Sequence, residues 1–290
     1  MTPHVPVAGD YIRARRVGAA QVTLVSEGIL PFAPQLLVPE ATWRAAMPEA
    51  DEQGRIPLGI NVLHLRLGDV SLLIDPGMDD PASEWQAQLS AQVPGLVRSP
   101  GLGVALVALE IMPEEITHVL ITHAHDDHYC ATTLERNDQD VPRFPRARCL
   151  LGRGDWEGNS ERDNSEAPLA RRLGTLDRAG LLEVVDGPRA VAPGVTMLPT
   201  PGESPGHSIV RIHSAGETLY YVGDLFHHHC EIEHPAWVSP GRDAAALQAS
   251  RLRLLSDAVR EQATVVYTHA PFPGWGRIVP VTTGYRWQPT

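Results

Sequence analysis

Apolar and polar residues alternate in two separate parts of the chain, and a period of two predicts β-strands. The stretch Ile60 to Ile74 alternates on both sides of Gly68-Asp69, which predicts a hairpin of two half-buried strands. Ser208 to His213 and Thr218 to Val222 predict a second hairpin around a Ser-Ala-Gly-Glu turn. Antiparallel strand pairs are therefore expected at two places.

Other runs predict buried strands and helices between and after these hairpins. Residues 118–122, HVLIT, predict a buried strand that ends at His123, and Tyr129 to Glu135 suggests a helix after it. Residues 243–262 place apolar residues at helical spacing, and residues 263–267 predict another strand. The core contacts expected from that helix are Leu247, Leu252, Leu254, Leu255 and Val259.

Three strand-like runs are followed directly by a histidine or an aspartate, at positions where a rigid scaffold commonly supports functional loops. With 290 residues, we expect a single domain over 1–290. It would carry an N-terminal extension at 1–57. The segment 152–180 would form a lid or a surface helix.

The composition restricts the classes of function. Hydrophobic residues make up 43% of the chain and charged residues 20%, which is typical of a globular protein. The net charge of -11 argues against a surface that binds nucleic acid. No run of apolar residues is long enough to cross a bilayer, and Met1 to Arg16 lacks the apolar region of a signal peptide, so a cytoplasmic protein is expected.

Histidine is abundant and cysteine is scarce. The chain has 13 histidines and three cysteines, Cys130, Cys149 and Cys230, which are too few for a disulfide framework and are expected to be free thiols. Cys130 is interpreted as a buried helix residue without a catalytic role. If a metal is bound, imidazole and not thiolate is the expected ligand.

The segment 122–128, THAHDDH, holds the densest group of metal-ligating side chains. In extended backbone His123 and His125 face the same way and can bind one metal together. Asp127 and His128 can reach a second ion if the chain turns into a helix after them. A histidine-rich surface turn is the alternative, which the added Asp-His pair makes unattractive.

At this point the sequence resembles the metallo-β-lactamase superfamily, whose His-x-His-x-Asp-His motif matches His123, His125, Asp127 and His128. Three further segments resemble that family's later motifs in order: Pro205-Gly206-His207, Gly223-Asp224 and Thr268-His269. The leader 72–77, LLIDPG, extends the likeness to about residues 58 to 276. The resemblance implies an α+β fold, a four-layer αβ/βα sandwich of two mixed β-sheets with outer helices.

Carried over residue by residue, the resemblance implies two divalent metal ions. His123, His125 and His207 would hold one ion, and Asp127, His128 and His269 would hold the other. Asp224 would bridge them, because each of its two carboxylate oxygens can serve one cation. Zinc is the expected metal, and iron, manganese and cobalt stay open.

Such a site implies a hydrolase, because two cations lower the pKa of a shared water and supply a metal-bridging hydroxide at neutral pH. Asp127 would orient or shuttle the proton. We expect cleavage of a small apolar lactone or carboxylic ester. The alternatives are organophosphate triesterase activity, a glyoxalase II-like thioesterase and a non-catalytic metal-binding protein.

Residues beside the ligands bear on the substrate. Quorum-quenching lactonases often have a tyrosine three residues after the bridging aspartate, and His227 occupies that position here, which is more similar to the methyl parathion hydrolase-like branch. His227 is the candidate substrate contact, although a polar surface loop is an equal alternative. Glu203 departs from the Gly-His-Thr of many relatives and is given no ligand role. Apolar residues near the expected site loops are the other candidates: Leu30, Phe32, Trp156, Phe226, Trp237 and Phe272.

The expected partner is a small-molecule substrate, without nucleic acid or membrane. A homodimer through apolar loops near Trp43 and Trp85 is left open.

Overall fold

A computed structural model describes residues 11–137 and 139–290, apart from the side chain of Glu84. The strands are β1 (Ile12–Val17), β2 (Ala20–Phe32), β3 (Ile56–Leu67), β4 (Val70–Ile74), β5 (Val97–Arg98), β6 (His118–Ile121), β7 (Thr133–Arg136), β8 (Gln139–Pro142), β9 (Arg148–Gly152), β10 (Leu182–Val185), β11 (Arg189–Ala192), β12 (Val195–Pro199), β13 (Ser208–Ser214), β14 (Glu217–Tyr221), β15 (Thr264–Val266), β16 (Gly276–Val281) and β17 (Gly284–Pro289).

In the described part of the chain, eight α-helices lie between these strands. They are α1 (Glu40–Ala46), α2 (Glu84–Gln92), α3 (Leu102–Ala108), α4 (Asp126–Tyr129), α5 (Arg153–Glu157), α6 (Pro168–Arg178), α7 (Cys230–Glu233) and α8 (Ala244–Arg260). Single turns of 3-10 helix occur at Pro113–Glu115, Cys130–Thr132, Ser160–Asp163 and Gly223–Leu225.

The strands form two large sheets. The first has the order β1-β2-β3-β4-β6-β9-β10, with β5 paired to β2, and the second runs from β11 to β17 in chain order. In the first sheet β4, β6, β9 and β10 are parallel neighbours, and in the second β14 and β15 are parallel, whereas the other pairs are antiparallel. Both sheets are therefore mixed, and β7 and β8 form a separate hairpin.

Three layers of apolar side chains separate the elements. The middle layer joins the facing sides of the two sheets, for example Leu63 and Leu65 from β3 with Val210 and Ile212 from β13. A second cluster lies between the first sheet and helices α3 and α6, and a third lies between the second sheet and α8. This order of helix, sheet, sheet and helix confirms the expected four-layer sandwich.

The first predicted hairpin is confirmed, with one difference. Leu63 pairs with Ile74 and Leu67 with Val70, on either side of a turn at Gly68 with φ of 58°. However, Leu63 packs in the middle layer while Val62 packs in the helix-covered cluster. Both faces of β3 are thus covered, and the strand is not half-buried as its alternation suggested, because helices close the outer side of the sheet.

The second hairpin is also confirmed, as β13 and β14, and α8 begins at the N-cap Asp243, whose side chain accepts from the backbone of Ala246. Leu252 on α8 was predicted as a core contact, but its side chain is 44% exposed and lies outside the core. The helix expected from Tyr129 to Glu135 is wrong beyond its first residues. After a 3-10 turn the chain enters β7, where long-range pairing with β8 overrides the local helical preference.

The segments expected to be peripheral are part of the sandwich. Residues 11–57 include β1, β2 and α1, so this part of the expected extension supplies two strands of the first sheet, and residues 1–10 lie outside the described residues. In the segment expected as a lid, α6 buries Leu169, Leu173 and Leu176 in the cluster between the first sheet and helices α3 and α6. It therefore packs against the sheet as a structural helix.

Within the described part of the chain, no helix is long and apolar enough to cross a membrane. The loops near Trp43 and Trp85 are the ones at which a homodimer was left open. Trp43 is 6% exposed and packs in a cluster with Met47 and Ile56, and Trp85 is half-buried. The three cysteines are buried and free, as expected.

Candidate metal centre

The ends of several strands meet at one edge of the sandwich and carry the predicted ligands. Asp75 follows β4 and His123 follows β6 by two residues, so both lie at the carboxyl ends of parallel neighbours. On the second sheet Asp224 lies in the turn after β14, and His269 follows β15. His207 immediately precedes β13, which is antiparallel to β14 and so begins at the same edge.

The first group of donors surrounds His123. Its Nε2 lies 2.8 Å from Nδ1 of His125 and 3.5 Å from Oδ2 of Asp224. The ring of His207 has its centroid 5.2 Å from that of His123, and its Nε2 lies 3.3 Å from the backbone nitrogen of Asp224. These separations bring the three imidazoles predicted for one metal together beside the shared carboxylate.

The second group shares the same aspartate. Nε2 of His128 lies 3.3 Å from Oδ1 of Asp224, whereas Nε2 of His269 lies 3.2 Å from Oδ2. Asp127 completes this group, with its two oxygens each 3.7 Å from one of these imidazole nitrogens. All seven predicted ligands are therefore clustered, with Asp224 between the two groups.

The outer nitrogens of the histidines are held by other protein groups. Nδ1 of His128 is 2.8 Å from Oδ2 of Asp75, and Nδ1 of His269 is 2.8 Å from the carbonyl oxygen of Gly59. Nδ1 of His207 faces the carbonyl oxygen of Thr200 at 3.2 Å. Since these oxygens accept hydrogen bonds, Nδ1 carries the proton of each ring in its neutral form, and Nε2 is then the nitrogen with the lone pair, which is the tautomer that a metal requires. In His207 that lone pair accepts the backbone N–H of Asp224.

A further carboxylate joins two of the ligand loops. Asp155, on α5, accepts hydrogen bonds from the backbone nitrogens of Ala124 and Gly206, at 3.0 and 2.6 Å, and from the hydroxyl of Ser204 at 2.7 Å. The segment expected as a lid therefore holds two of the ligand loops together, through Asp155, a residue that was not predicted to belong to the site.

Burial and charge divide the protonation of the site. Burial lowers the pKa of His123 well below its usual value and that of His207 to about 3, so both rings are neutral at pH 7. Burial alone would raise the pKa of Asp224, but the imidazoles of His269, His128 and His123 hold it well below its usual range. Neutral imidazole and ionised carboxylate are the forms that bind cations.

His128 behaves differently from His123. Burial lowers its pKa, but the carboxylates of Asp224, Asp127 and Asp75 raise it well above the usual value. The three carboxylates leave an excess of negative charge around this buried ring. A bound metal cation would neutralise that charge in place of the proton.

Two buried atoms test whether the cluster fits metal ions. Nε2 of His128 and Oδ1 of Asp224 have no hydrogen-bond partner among the described residues, although they face each other at 3.3 Å. Leaving such atoms unpaired is costly in a protein interior. A divalent cation between them would satisfy both, and the nitrogen and oxygen donors suit two such ions.

A cleft of about 310 Å³ opens over these donors. Its lining includes the apolar residues Leu30, Phe32, Ala33 and Leu58 and the polar residues Gln35, Ser239 and Arg242. The side chain of Asp127 is 23% exposed and that of His227 is 18% exposed, so both are accessible from the cleft.

His227 has a fixed orientation in this cleft. Its ring is nearly parallel to those of Phe32 and His269, at centroid distances of 6.0 and 5.5 Å, and its Nε2 lies 3.3 Å from Oδ2 of Asp224. Its backbone nitrogen donates to Glu231, which is paired in turn with the buried Arg251 at 3.1 Å. The residue is therefore part of the site and not of a polar surface loop.

Of the apolar residues predicted near the substrate, Leu30 and Phe32 line the cleft and the other four lie elsewhere. Trp156 packs in the core beside the first sheet, and Phe226 is fully buried beneath α8. Trp237 stacks on His234, and Phe272 lines a separate cavity beside β2. Core packing or another surface accounts for these four side chains.

Glu203 lies inside the ligand cluster, although no role was predicted for it. Its side chain is 1% exposed, and its Oε1 is 3.9 Å from Nδ1 of His125. Its carboxylate pairs with Arg242, another residue that was not singled out. The only sequence signal was the departure at position 203 from the pattern of the relatives.

Comparisons with known proteins agree with this geometry. The family model of the Metallo-beta-lactamase superfamily matches residues 55–269, and the chain belongs to this superfamily. No curated protein sequence matches the chain.

Solved structures with the same fold cover nearly the whole chain. A hydrolase of the beta lactamase superfamily, AbOPH, has 19% identity and a TM-score of 0.77, and covers 96% of this chain and 97% of its own. AidC, a dizinc quorum-quenching lactonase, has 22% identity, a TM-score of 0.74 and the same coverage. A probable metal-dependent hydrolase from Staphylococcus aureus has 22% identity and a TM-score of 0.76, and covers 91% of this chain and 94% of its own.

Proposed function

We infer that this protein is a dimetal-dependent hydrolase that cleaves a small lactone or carboxylic ester. The observation that carries the proposal is the cluster of seven donors, two of which have unpaired buried atoms. Four of the seven line a cleft that is also lined by apolar side chains. When bound, two divalent cations lower the pKa of a shared water toward 7 and polarise a substrate oxygen, and zinc is the ion we expect.

The cleft walls favour an apolar acyl or alkyl group. Leu30, Phe32, Ala33 and Leu58, named here the apolar wall, line the same cleft as the donors. Burial of a hydrocarbon chain against this wall would contribute about 0.8 kcal/mol per methylene group. This supports an ester or lactone with an apolar arm better than a sugar phosphate.

Asp127 is the candidate proton carrier. Its carboxylate lies beside both His128 and His269 and is accessible from the cleft. One of its oxygens can accept the proton from the attacking water and return it to the leaving alcohol oxygen. The similarity to a lactonase in fold is consistent with this role.

His227 is the candidate electrophilic residue. Its ring is held between Phe32 and His269, and the Glu231 carboxylate fixes the backbone of its turn. From this position its Nε2-H can donate to the carbonyl oxygen of the substrate as negative charge develops there. A tyrosine at position 227 would place a hydroxyl donor in the same region.

The test combines metal analysis with a substrate panel of a lactone, a carboxylic ester, a glutathione thioester and a phosphotriester. We expect two equivalents of metal, and turnover of the lactone or the ester. Turnover confined to the thioester or to the phosphotriester would replace the proposal with one of those activities. No turnover by a protein with two metals would leave a metal-binding protein without this function.

Two substitutions at position 227 refine the test. His227→Phe should reduce kcat by about 100-fold, the usual cost of removing one donor to a developing oxyanion, whereas His227→Tyr should retain much of it. His229→Phe, in the same turn but outside the cleft, is the matched control. Equal activity of His227→Phe and the wild type would remove His227 from the mechanism.

A further inference from the structure

The cleft has a second recognition element besides its apolar wall. Arg242 lines the same cleft as Leu30 and Phe32, and its side chain is 28% exposed. Its Nε donates to Oε2 of Glu203 at 2.8 Å, and its Nη2 lies 2.5 Å from Oε1. Glu203 thus contacts one edge of the guanidinium at two points, by a hydrogen bond to Oε2 and an ion pair with Oε1.

The backbone keeps this pair in place. Glu203 belongs to the loop between β12 and β13 that leads to the ligand His207, and Arg242 belongs to the loop before α8. The backbone nitrogen of Asp243 donates to the carbonyl oxygen of Gly202 at 3.1 Å, which joins the two loops directly beside the ion pair. Since the buried carboxylate and the adjacent backbone are fixed, the guanidinium is preorganised.

The other edge of the guanidinium is available to a ligand. Among residues 11–137 and 139–290, no acceptor is hydrogen-bonded to Nη1 of Arg242. A guanidinium has five N-H donors in a plane, so the two-point contact with Glu203 leaves donors for a second acceptor in that plane. Arg242 is also the one lysine or arginine side chain that lines the cleft in the described part of the chain.

We propose that Arg242, oriented by Glu203, binds a carboxylate on the substrate and makes this enzyme selective for lactones or esters that carry an anionic group. The inference rests on the proposed hydrolase function and narrows its substrate class. The scissile group of the substrate would lie at the metal donors, its hydrocarbon arm would pack against the apolar wall, and its charged end would bind to Arg242. Arg242 is a specificity residue here, and Glu203 is a positioning residue.

Two phenyl esters of the same length provide the main experiment. Monophenyl glutarate carries a terminal carboxylate where phenyl pentanoate carries a methyl group, and both release phenol. The wild type should have the higher kcat/KM for monophenyl glutarate. In Arg242→Gln the ratio of the two kcat/KM values should fall by about 10- to 100-fold, the usual scale of a hydrogen bond to a charged group, mainly through KM.

Control variants separate recognition from damage to the site. Arg260→Gln removes an exposed arginine of α8 and should keep the wild-type ratio. The double variant Glu203→Gln/Arg242→Gln leaves no unpaired buried carboxylate and should show the same low ratio as Arg242→Gln. Recovery of the wild-type ratio in the double variant would overturn the proposal, because the stranded Glu203 and not the lost Arg242 would then explain the defect.

Metal content gives a readout that does not depend on activity. Both Glu203→Gln and Arg242→Gln should retain the metal equivalents of the wild type. Loss of one equivalent from Glu203→Gln, with the ester ratio unchanged, would make Glu203 a metal ligand and would overturn the positioning role.

Calorimetric binding of glutarate and pentanoate to the metal-loaded protein separates this inference from the proposed function. Tighter binding of glutarate that is lost in Arg242→Gln would support the carboxylate site even if neither ester is hydrolysed. Hydrolysis of both esters, without any preference for the carboxylate in turnover or binding, would sustain the hydrolase and overturn the role of Arg242.

Discussion

The carboxylate of Asp75 lies 2.8 Å from Nδ1 of His128, and the same oxygen accepts the hydroxyl hydrogen bond of Thr122 at 2.7 Å. Its other oxygen accepts from the backbone nitrogen of Thr122, also at 2.7 Å. One buried aspartate at the end of β4 therefore orients a ligand of one group and the start of the loop that carries His123.

This relationship predicts a metal defect in Asp75→Ala. Without the acceptor, the ring of His128 can rotate or take the other tautomer, and affinity for the second metal should fall by about 10- to 100-fold. Competition with a chromogenic chelator measures the change. Asp69→Ala, in the exposed turn of the same hairpin, is the control, and an equal affinity of the two variants would refute the role of Asp75.

Gly223 predicts a steric effect on the other group. Its φ is 52°, and a Cβ atom there would lie 2.7 Å from Oγ1 of Thr122 and 3.0 Å from Nε2 of His207. Gly223→Ala should therefore displace His207 and lower the affinity for the metal that the first group of donors would hold. A competitive titration with a chelator measures this affinity. Gly216→Ala, at φ of 84° with no atom within 4 Å, should keep metal affinity and lose only about 1 kcal/mol of stability from backbone strain.

Removal of the ligands or of the metal should remove the proposed activity. Asp224→Ala and His123→Ala should lose bound metal and turnover while far-ultraviolet circular dichroism shows a folded chain, because the three apolar layers lie outside the cluster. His213→Ala changes an exposed histidine of β13 and should retain both properties. Wild-type turnover after exhaustive chelation would contradict the metal mechanism.

The raised pKa of the buried Glu27 leads us to expect that stability depends on pH, independently of the metal site. Burial raises its pKa from 4.5 to about 7, although the guanidinium groups of Arg98 and Arg143 oppose the shift. A raised carboxyl pKa means that the folded state binds the proton more tightly than the unfolded state. This contribution is complete below pH 4.5 and is lost as the pH rises to about 7.

Across that range the free energy of unfolding of the wild type should fall by roughly 3 kcal/mol relative to Glu27→Gln. Urea titrations of both proteins at saturating metal measure the difference between pH 4.5 and pH 8. Glu217→Gln, at an exposed position of β14, serves as the control for loss of a glutamate. Parallel pH profiles for the wild type and Glu27→Gln would show that Glu27 stays ionised.

Four of the predicted ligands were accessible to sequence reasoning because their chemistry is local, and the resemblance implied the other three. His123, His125, Asp127 and His128 form a dense motif, and the remaining ligands lie where a strand meets a turn. The hairpin around Gly68 was predictable for a similar reason, since alternation and turn residues lie side by side in the chain.

The supporting residues were not accessible in this way. Asp155 reaches Gly206 across 51 positions of sequence, and Glu203 reaches Arg242 across 39. Nothing in the spacing of a single aspartate or arginine indicates its partner. The sequence also could not separate cleft residues from core residues, because an apolar side chain such as Phe226 has the same pattern in a core as in a cleft.

The amino-acid sequence by itself therefore indicated the superfamily, through a dense motif at 123–128 and later motifs in the expected order, and the resemblance implied the sandwich and the predicted donor set. Only the tertiary structure decided that α6 packs as a core helix, that Phe32 and His227 line the cleft while Trp156 and Phe226 do not, and that Arg242 lines the same cleft as the donors. These facts depend on which strand ends and loops converge, and that convergence follows from burying three apolar layers at once.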